Sequence, residues 1–282
     1  MSGQFDPYSP SGFYVCDPAQ LQRKLRDFKA AGAQHISYLF DFDRTLTTSK
    51  HTGEDITTWY ILHGVLPDIG QQQMNSLREK YQPLEITGEL SENDALAWWN
   101  SALDLYVKHP VYIKDIEEAA RHVQLRHGTT ELFKDCEAAG VPTVILSAGV
   151  SDVITIIVGA RGINPSLILS TKFVLAEDGH ILGWDRGSMI HILNKREQGN
   201  ADMSRIRSER PYTVLIGDSL QDADMVDGDE HVLRIRICDL KHPDHQTREQ
   251  YLQQSFAAGF DMVVEEDLQP LIALNRWLTA TV

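Results

Sequence analysis

Three stretches of the chain end an apolar run in a short turn of small or charged residues. Ile36–Phe40 leads into Asp41-Phe42-Asp43-Arg44-Thr45, Val141–Leu146 into Ser147-Ala148-Gly149, and Tyr212–Ile216 into Gly217-Asp218-Ser219. If these runs are parallel strands of one sheet, the turns gather along one edge and bring Asp41, Asp43, Ser147 and Asp218 together. Clustered carboxylates repel unless a cation or shared protons compensate them. An all-oxygen set suits a hard divalent ion, most simply Mg²⁺ with several waters. A carboxylate beside such an ion is a competent nucleophile toward phosphorus, giving an aspartyl phosphate. A second carboxyl can protonate the leaving oxygen and later deprotonate water. Asp41 and Asp43 are two residues apart and would share a face if the strand continued. Lys195, at the end of Met189–Lys195, can neutralise a phosphoryl oxygen and offset the carboxylates. Ser147 and the amides of Ala148 and Gly149 can hold the same phosphate. Taken singly, each of these residues has a plainer role. An aspartate after a strand caps or turns the chain, and a lone lysine is solvated. Their order along the chain argues for a shared site.

The elements that would position these residues follow from pattern. Asp17-Pro18 reads as an N-cap and first helical residue, Leu21, Leu25 and Phe28 follow at helical spacing, and Gly32 stops the helix. Roughly a hundred residues separate the first strand from the second, far more than the few tens a crossover needs. The intervening sequence reads helical. Met74, Leu77 and Tyr81 fall at 3–4 spacing, Ser91…Asp94 resembles a capping box, and Ile116–Val123 is a further helix. The expected division is an α/β core of residues 1–51 and 126–282, with a helical insert at 52–125. Beyond the insert a helix runs from Thr129 to Gly140 and another starts near Ser151. Strand pairs surround Asp178-Gly179, and Val232–Ile237 and Met262–Val264 are further strands. The first fifteen residues, rich in Ser, Gly and Pro, are expected to be a loose arm.

Taken together, DxDxT, a serine after a strand, a lysine and GDxxxD resemble the haloacid dehalogenase superfamily of phosphatases. The insert resembles that superfamily's C1 cap on a Rossmann-like core. More narrowly, EKYQPLEI (79–86), ILSAGVSDV (145–153), MIHILNK (189–195) and GDSLQDADMVDG (217–228) resemble the cytosolic pyrimidine 5′-nucleotidase family, cytosolic 5′-nucleotidase III. The resemblance runs from about Pro18 to the C-terminus. It implies Asp41 as nucleophile and Asp43 as acid/base. It implies Asp41, the Asp43 carbonyl and Asp218 as Mg²⁺ ligands, with Asp222 as the second acid of the last motif. Ser147 and Lys195 become the phosphate-binding pair, and Glu85 the cap glutamate that contacts the nucleoside; as a bare residue, Glu85 reads equally well as a solvated charge at a helix end. The chain departs from the family at Thr58-Trp59-Tyr60-Ile61, where a polar Cys/His/Asn stretch is common. Trp98-Trp99-Asn100 follows on a later helix. Adjacent helical residues diverge by ~100°, so one of the two tryptophans is expected to reach a pocket, either to stack on a base or to fill the core.

Composition narrows the function. The 282 residues carry 42% hydrophobic and 23% charged side chains and a net charge of −14. That supports a real core, and it disfavours a nucleic-acid polymer as partner. Three scattered cysteines, Cys16, Cys136 and Cys238, without metal spacing fit reduced thiols. No signal sequence or membrane-length apolar run is visible, so a soluble cytoplasmic protein is expected. The motifs lead to Mg²⁺-dependent hydrolysis of a small phosphate ester, and the resemblance implies that the ester is a nucleoside 5′-monophosphate with pyrimidines favoured. The alternatives are a broad-specificity or sugar-phosphate phosphatase, a phosphotransferase, and a non-catalytic phosphate-ligand binder.

Overall fold

Strands buried on both faces need helices on both sides, and four runs of this chain meet that condition. In the computed structural model, which describes residues 5–48, 56–197, 200–228, 230–238 and 247–280, every residue of four strands except Ala148 and Tyr212 is buried. These are β2 (Ile36–Phe40), β3 (Thr143–Val150), β7 (Tyr212–Gly217) and β8 (Val232–Cys238). In chain order β1 (Phe13–Val15) and α1 (Pro18–Ala31) precede β2. Then come α2 (Thr58–Val65), α3 (Asp68–Thr87), α4 (Glu92–Lys108), α5 (Ile113–Ala120) and α6 (Thr129–Ala138). After β3 follow α7 (Ser151–Gly159), β4 (Leu167–Thr171), β5 (Phe173–Leu175), β6 (Ile181–Trp184) and α8 (Ala201–Glu209). The chain ends, beyond β7 and β8, with α9 (Arg248–Ala257), β9 (Met262–Glu265) and α10 (Gln269–Thr279).

The main sheet has the order β1-β9-β8-β7-β2-β3-β4, parallel except for β1. This is a haloacid dehalogenase-like α/β fold. Phe40 pairs with Ile145 on one side and Ile216 on the other, so β2 lies between β3 and β7 with their carboxyl ends level. Strand order therefore puts the three polar strand ends side by side. The helices α2–α5 leave and return at one point. Thr47 and Leu125 form an antiparallel bridge, and the Arg126 N–H donates to the Leu46 carbonyl at 2.8 Å. The expected boundary at 51/52 lies outside the described residues. The β5–β6 hairpin, turned by Gly179 at φ 84°, is joined to the inserted helices by backbone bonds from Ile181 to Val111 and from Ile113 to Gly179.

Local signals explain the helix starts. Asp17 accepts the Ala19 and Gln20 amides, and Ser91 and Asp94 form the reciprocal capping box. Three expectations need correction. Residues 13–15 are an edge strand paired with β9, and Phe5 is buried against Phe13 and Trp277, so the first fifteen residues are not wholly a loose arm. Aromatic burial outweighs the loop-like composition there. Ser147-Ala148-Gly149 belongs to β3 rather than to a turn after it. Between the pairs Leu146–Leu169 and Val150–Thr171 the register shifts and this tripeptide bulges. Asp41 and Asp43 do not share a strand face, because β2 ends at Phe40 and the chain turns through Arg44 at φ 62°.

The docked N-terminal segment has a measurable consequence. Phe5→Ala is expected to lower the unfolding free energy by about 3 kcal/mol, as for a buried phenylalanine truncated in a core. Chemical denaturation of the two proteins checks it; no change would restore the loose arm.

Candidate active site

Asp41 ends the central strand, its N–H donating to the Ile216 carbonyl at 2.9 Å. Its carboxylate is buried and accepts a hydrogen bond from the Lys195 ammonium. The same ammonium donates to Asp222 Oδ1 at 2.7 Å. Asp41, Asp218 and Asp222 each offer an oxygen within 4.8 Å of the others. Burial pushes all three carboxyls above the ordinary carboxylate range, opposed by Lys195. Burial alone would pull the lysine down, but Asp222 and Asp41 hold it above its usual value. One ammonium thus stands against three carboxylates, two buried and Asp218 partly so, with Arg44 Nε 3.2 Å from Asp218 Oδ2 adding a second, half-exposed cation. The donor set is all oxygen and its negative charge exceeds the lysine's. It fits a hard divalent cation better than a thiophilic one.

The loops that carry these acids are held from behind. Arg234 and Arg236, two apart on β8 and so on one face, are both buried. Arg236 Nε donates to the Asp218 carbonyl at 2.8 Å, and Arg234 donates to the carbonyls of Ala223, Val226 and Gly228. Asp222 accepts the Ser219 N–H at 2.9 Å in a capping box. A Cβ on Gly217 would lie 2.4 Å from the Asp222 side chain, so only glycine lets Asp222 fold back over β7. The Lys195 segment is shaped by its own Asn194, which accepts the His191 N–H and donates to the Met189 carbonyl. Glu197 then fastens it to the Asp222 loop through Met225 and Asp227.

The other expected residues fall around this centre in different ways. Asp43 is outside the carboxylate triad: its two oxygens accept the Thr58 N–H at 2.7 Å and hydroxyl at 2.6 Å, in the first turn of α2. Burial raises its pKa to about 7, against the pull of Thr58. Ser147 is buried within β3 and its Oγ accepts the Gly149 N–H at 3.1 Å, so that amide is engaged within the bulge. The Ala148 carbonyl accepts two indole N–H groups, Trp59 at 3.2 Å and Trp99 at 3.1 Å. Trp98 diverges from Trp99 and stacks on Tyr81. Glu85 sits on α3, half-buried; burial raises its pKa, and Arg44 and Arg78 oppose the shift. Sequence reasoning gave no role to Thr58, Arg44 or the β8 arginines, and read the tryptophans as stacking or core groups without foreseeing that Trp59 and Trp99 share the Ala148 carbonyl. Arg44 lay in plain view inside DFDRT, whereas the pairing of Thr58 with Asp43 has no sequence signal across the gap between them.

The fold is haloacid dehalogenase-like, and its sheet edge carries three carboxylates beside a lysine. The model of the pyrimidine 5′-nucleotidase (UMPH-1) family matches residues 44–280, and the chain belongs to that family. It is an enzyme, a phosphatase of the 5′-nucleotidase type. A Gallus gallus relative, a 7-methylguanosine phosphate-specific 5′-nucleotidase, is 30% identical over 269 residues, 90% of each chain. A Xenopus laevis protein described as 7-methylguanosine phosphate-specific 5′-nucleotidase B is 28% identical over 279 residues, 94% of each chain. Among solved structures, cytosolic 5′-nucleotidase IIIB bound to cytidine superposes with a TM-score of 0.81 at 23% identity, covering 95% of this chain and 94% of that one. Substrate-bound phosphoserine phosphatase shares the fold at a TM-score of 0.53 and 15% identity, covering 85% of this chain and 97% of that one. Among the described residues no helix is long and apolar enough to cross a membrane.

Lys195→Met keeps the stem's bulk and removes the cation. Turnover is expected to fall by on the order of 10²-fold or more, the loss typical of a donor that stabilises transition-state charge. Steady-state kinetics with circular dichroism as a folding control checks this; unchanged turnover would make the lysine purely structural.

Proposed function

We propose that the chain hydrolyses nucleoside 5′-monophosphates through an aspartyl phosphate on Asp41. The observation that carries this reading is the Asp41 carboxylate at the end of the central strand, beside Lys195 and the two other acids. An Asp41 oxygen attacks phosphorus and the bond to the 5′-oxygen breaks. Asp43 protonates that leaving oxygen. It then takes a proton from the water that attacks the acyl phosphate, which releases inorganic phosphate and restores Asp41. A pKa of about 7 suits a carboxyl that gives and then accepts a proton near neutrality. Thr58 would keep that carboxyl beside the inserted helices, where the leaving nucleoside would sit. Lys195, Ser147 and the Ala148 amide would hold the phosphoryl oxygens, with Gly149 supporting Ser147 from within the bulge. Asp41, Asp218 and the Asp43 carbonyl would hold Mg²⁺, with Asp222 behind them; when bound, the ion neutralises charge on the phosphoryl oxygens.

Residues 52–125 are read as a cap on a core of 1–51 and 126–282, closing over substrate and excluding water. Glu85 would face the nucleoside. An ionised carboxylate only accepts hydrogen bonds, so it would choose an exocyclic amine, a ring N–H or ribose hydroxyls. The family description favours a pyrimidine. A second reading comes from relatives described as 7-methylguanosine phosphate-specific, together with Trp59, Trp98 and Trp99 near the strand-end bulge. A methylated guanine is cationic, and aromatic faces and a carboxylate both favour a cation.

Two experiments follow. Asp41→Asn is expected to abolish turnover with the fold intact, and EDTA to remove wild-type activity that Mg²⁺ restores. Near-normal rates in the variant would sink the covalent mechanism, and full activity in metal-stripped enzyme would sink the ion. The second measures kcat/KM for CMP, UMP, GMP, 7-methyl-GMP and a sugar phosphate in wild type and Glu85→Ala. Glu85 on the base predicts a loss confined to the preferred nucleotide, and Glu85 on ribose an equal loss on all nucleotides. Wild-type preference for the sugar phosphate would leave a broad phosphatase, and transfer to an added alcohol would make it a phosphotransferase.

A further inference from the structure

Arg126 lies where the chain returns from the inserted helices. Beside it the outgoing and returning segments are bonded at Thr48 N to Gln124 O, at the Thr47–Leu125 bridge and at Arg126 N to Leu46 O. Its side chain is buried and turns inward to backbone carbonyls. Nε and Nη2 donate to the Arg44 carbonyl at 3.1 and 2.6 Å, and Nη1 donates to the Glu266 carbonyl at 2.8 Å. Arg44 and Glu266 are the two non-glycine residues with positive φ among the described residues, at 62° and 58°. A side chain in that region crowds its Cβ against the backbone and persists where the surroundings over-determine it. One buried cation therefore grips both strained peptides through charge-assisted bonds.

The two grips have different consequences. Glu266 is in the turn after β9, where its N–H donates to the Cys238 carbonyl. Arg44 is the residue between Asp43 and Thr45. Its N–H donates to Thr47 Oγ1 at 2.8 Å, and the amides of Thr45, Leu46 and Thr47 converge on the Phe42 carbonyl. That tight turn, with Arg44 left-handed in its middle, sends Asp43 toward Thr58 and the Arg44 guanidinium toward Asp218.

We propose that Arg126 is a positioning residue for the phosphatase reaction: by holding the Arg44 carbonyl it keeps the turn that aims Asp43 and Arg44. The inference rests on the phosphatase reading of the site. Asp43 is used after substrate has bound, so the effect falls on kcat. The test is a pair of double-mutant cycles, Arg126→Ala with Arg44→Gly and Arg126→Ala with Glu266→Gly. Turnover, KM and Tm are followed on the best substrate of the nucleotide panel. Arg126→Ala is expected to lower kcat by about 5- to 30-fold, the population factor implied by the strain of one left-handed side-chain residue. KM should stay within about twofold, since ground-state binding is left alone. Glycine takes positive φ without that strain, so on the Arg44→Gly background the same substitution should cost no more than about threefold. On the Glu266→Gly background the full kcat loss should remain, with the coupling appearing in Tm alone. Arg126→Lys, which keeps the cation and loses the fork, serves the same cycles if Arg126→Ala does not fold. Equal kcat losses on the Arg44 and Arg44→Gly backgrounds, or a fall in Tm with kcat unchanged, would reduce Arg126 to a packing residue and overturn the proposal. Wild-type enzyme inert toward every ester of the panel would overturn the phosphatase reading and this inference with it. An active wild type with uncoupled cycles overturns the inference alone.

Discussion

Three carboxylates at one sheet edge, two buried and one partly buried, are the constraint on which the rest of the molecule depends. Asp41, Asp218 and Asp222 would each be costly alone in such a place, and together they repel. The Lys195 ammonium between Asp41 and Asp222 is the fixed charge that makes the arrangement tolerable. Much of the surrounding structure serves to keep it there. Asn194 folds the segment that delivers the lysine. Glu197 binds that segment to the Asp222 loop, and Arg207 pairs with Glu197 at 2.9 Å from α8. On the opposite flank the two β8 arginines donate to carbonyls of the Asp218 and Asp222 loops, so their cationic ends stand behind the acids. The charge balance and the loop geometry are thus one problem with one solution.

The parts of this solution that were legible in the sequence are those fixed by local pattern. Apolar runs bounded by small and charged residues gave β2, β3 and β7, and the parallel sheet then required their ends to meet. Asp17 and Ser91 announced their helices because a cap is a contact between neighbours in sequence. What stayed hidden depends on distant contacts. β1 is three residues long in a loop-like composition, and its strand character comes from pairing with β9 at the far end of the chain. The bulge at Ser147-Ala148-Gly149 is a register event between β3 and β4 and leaves no mark in either strand's composition. Arg126 has no local signal, because its partners are the carbonyls of Arg44 and Glu266, 82 and 140 residues away.

The alternation rule also failed in an instructive place. Asp41 and Asp43 are two apart, and a continuing strand would have aimed both at one substrate atom. The chain turns at Arg44 instead, which separates their environments: Asp41 faces a lysine and two acids, while Asp43 faces a hydroxyl and a helix-start amide. Two carboxyls with different neighbours titrate differently, which is how a pair divides nucleophilic from acid/base work. Had the strand continued, the two groups would have shared one field and competed for one cation.

The inserted helices approach all three polar strand ends, with α2 serving two of them. Thr58 of α2 holds Asp43 after β2. Trp59 of α2 and Trp99 of α4 both donate to the Ala148 carbonyl in β3. Glu85 of α3 interacts electrostatically with Arg44, whose side chain in turn meets Asp218 after β7. Gly149 leaves no room for a Cβ against the Thr58 hydroxyl, so α2 and β3 are in contact at closest approach. A displacement of α2 relative to the sheet therefore disturbs the Thr58 bonds to Asp43 and the Trp59 bond to the bulge together. If Asp43 acts as the acid/base proposed above, the position of α2, through Thr58, would bear on turnover as well as on the bulge.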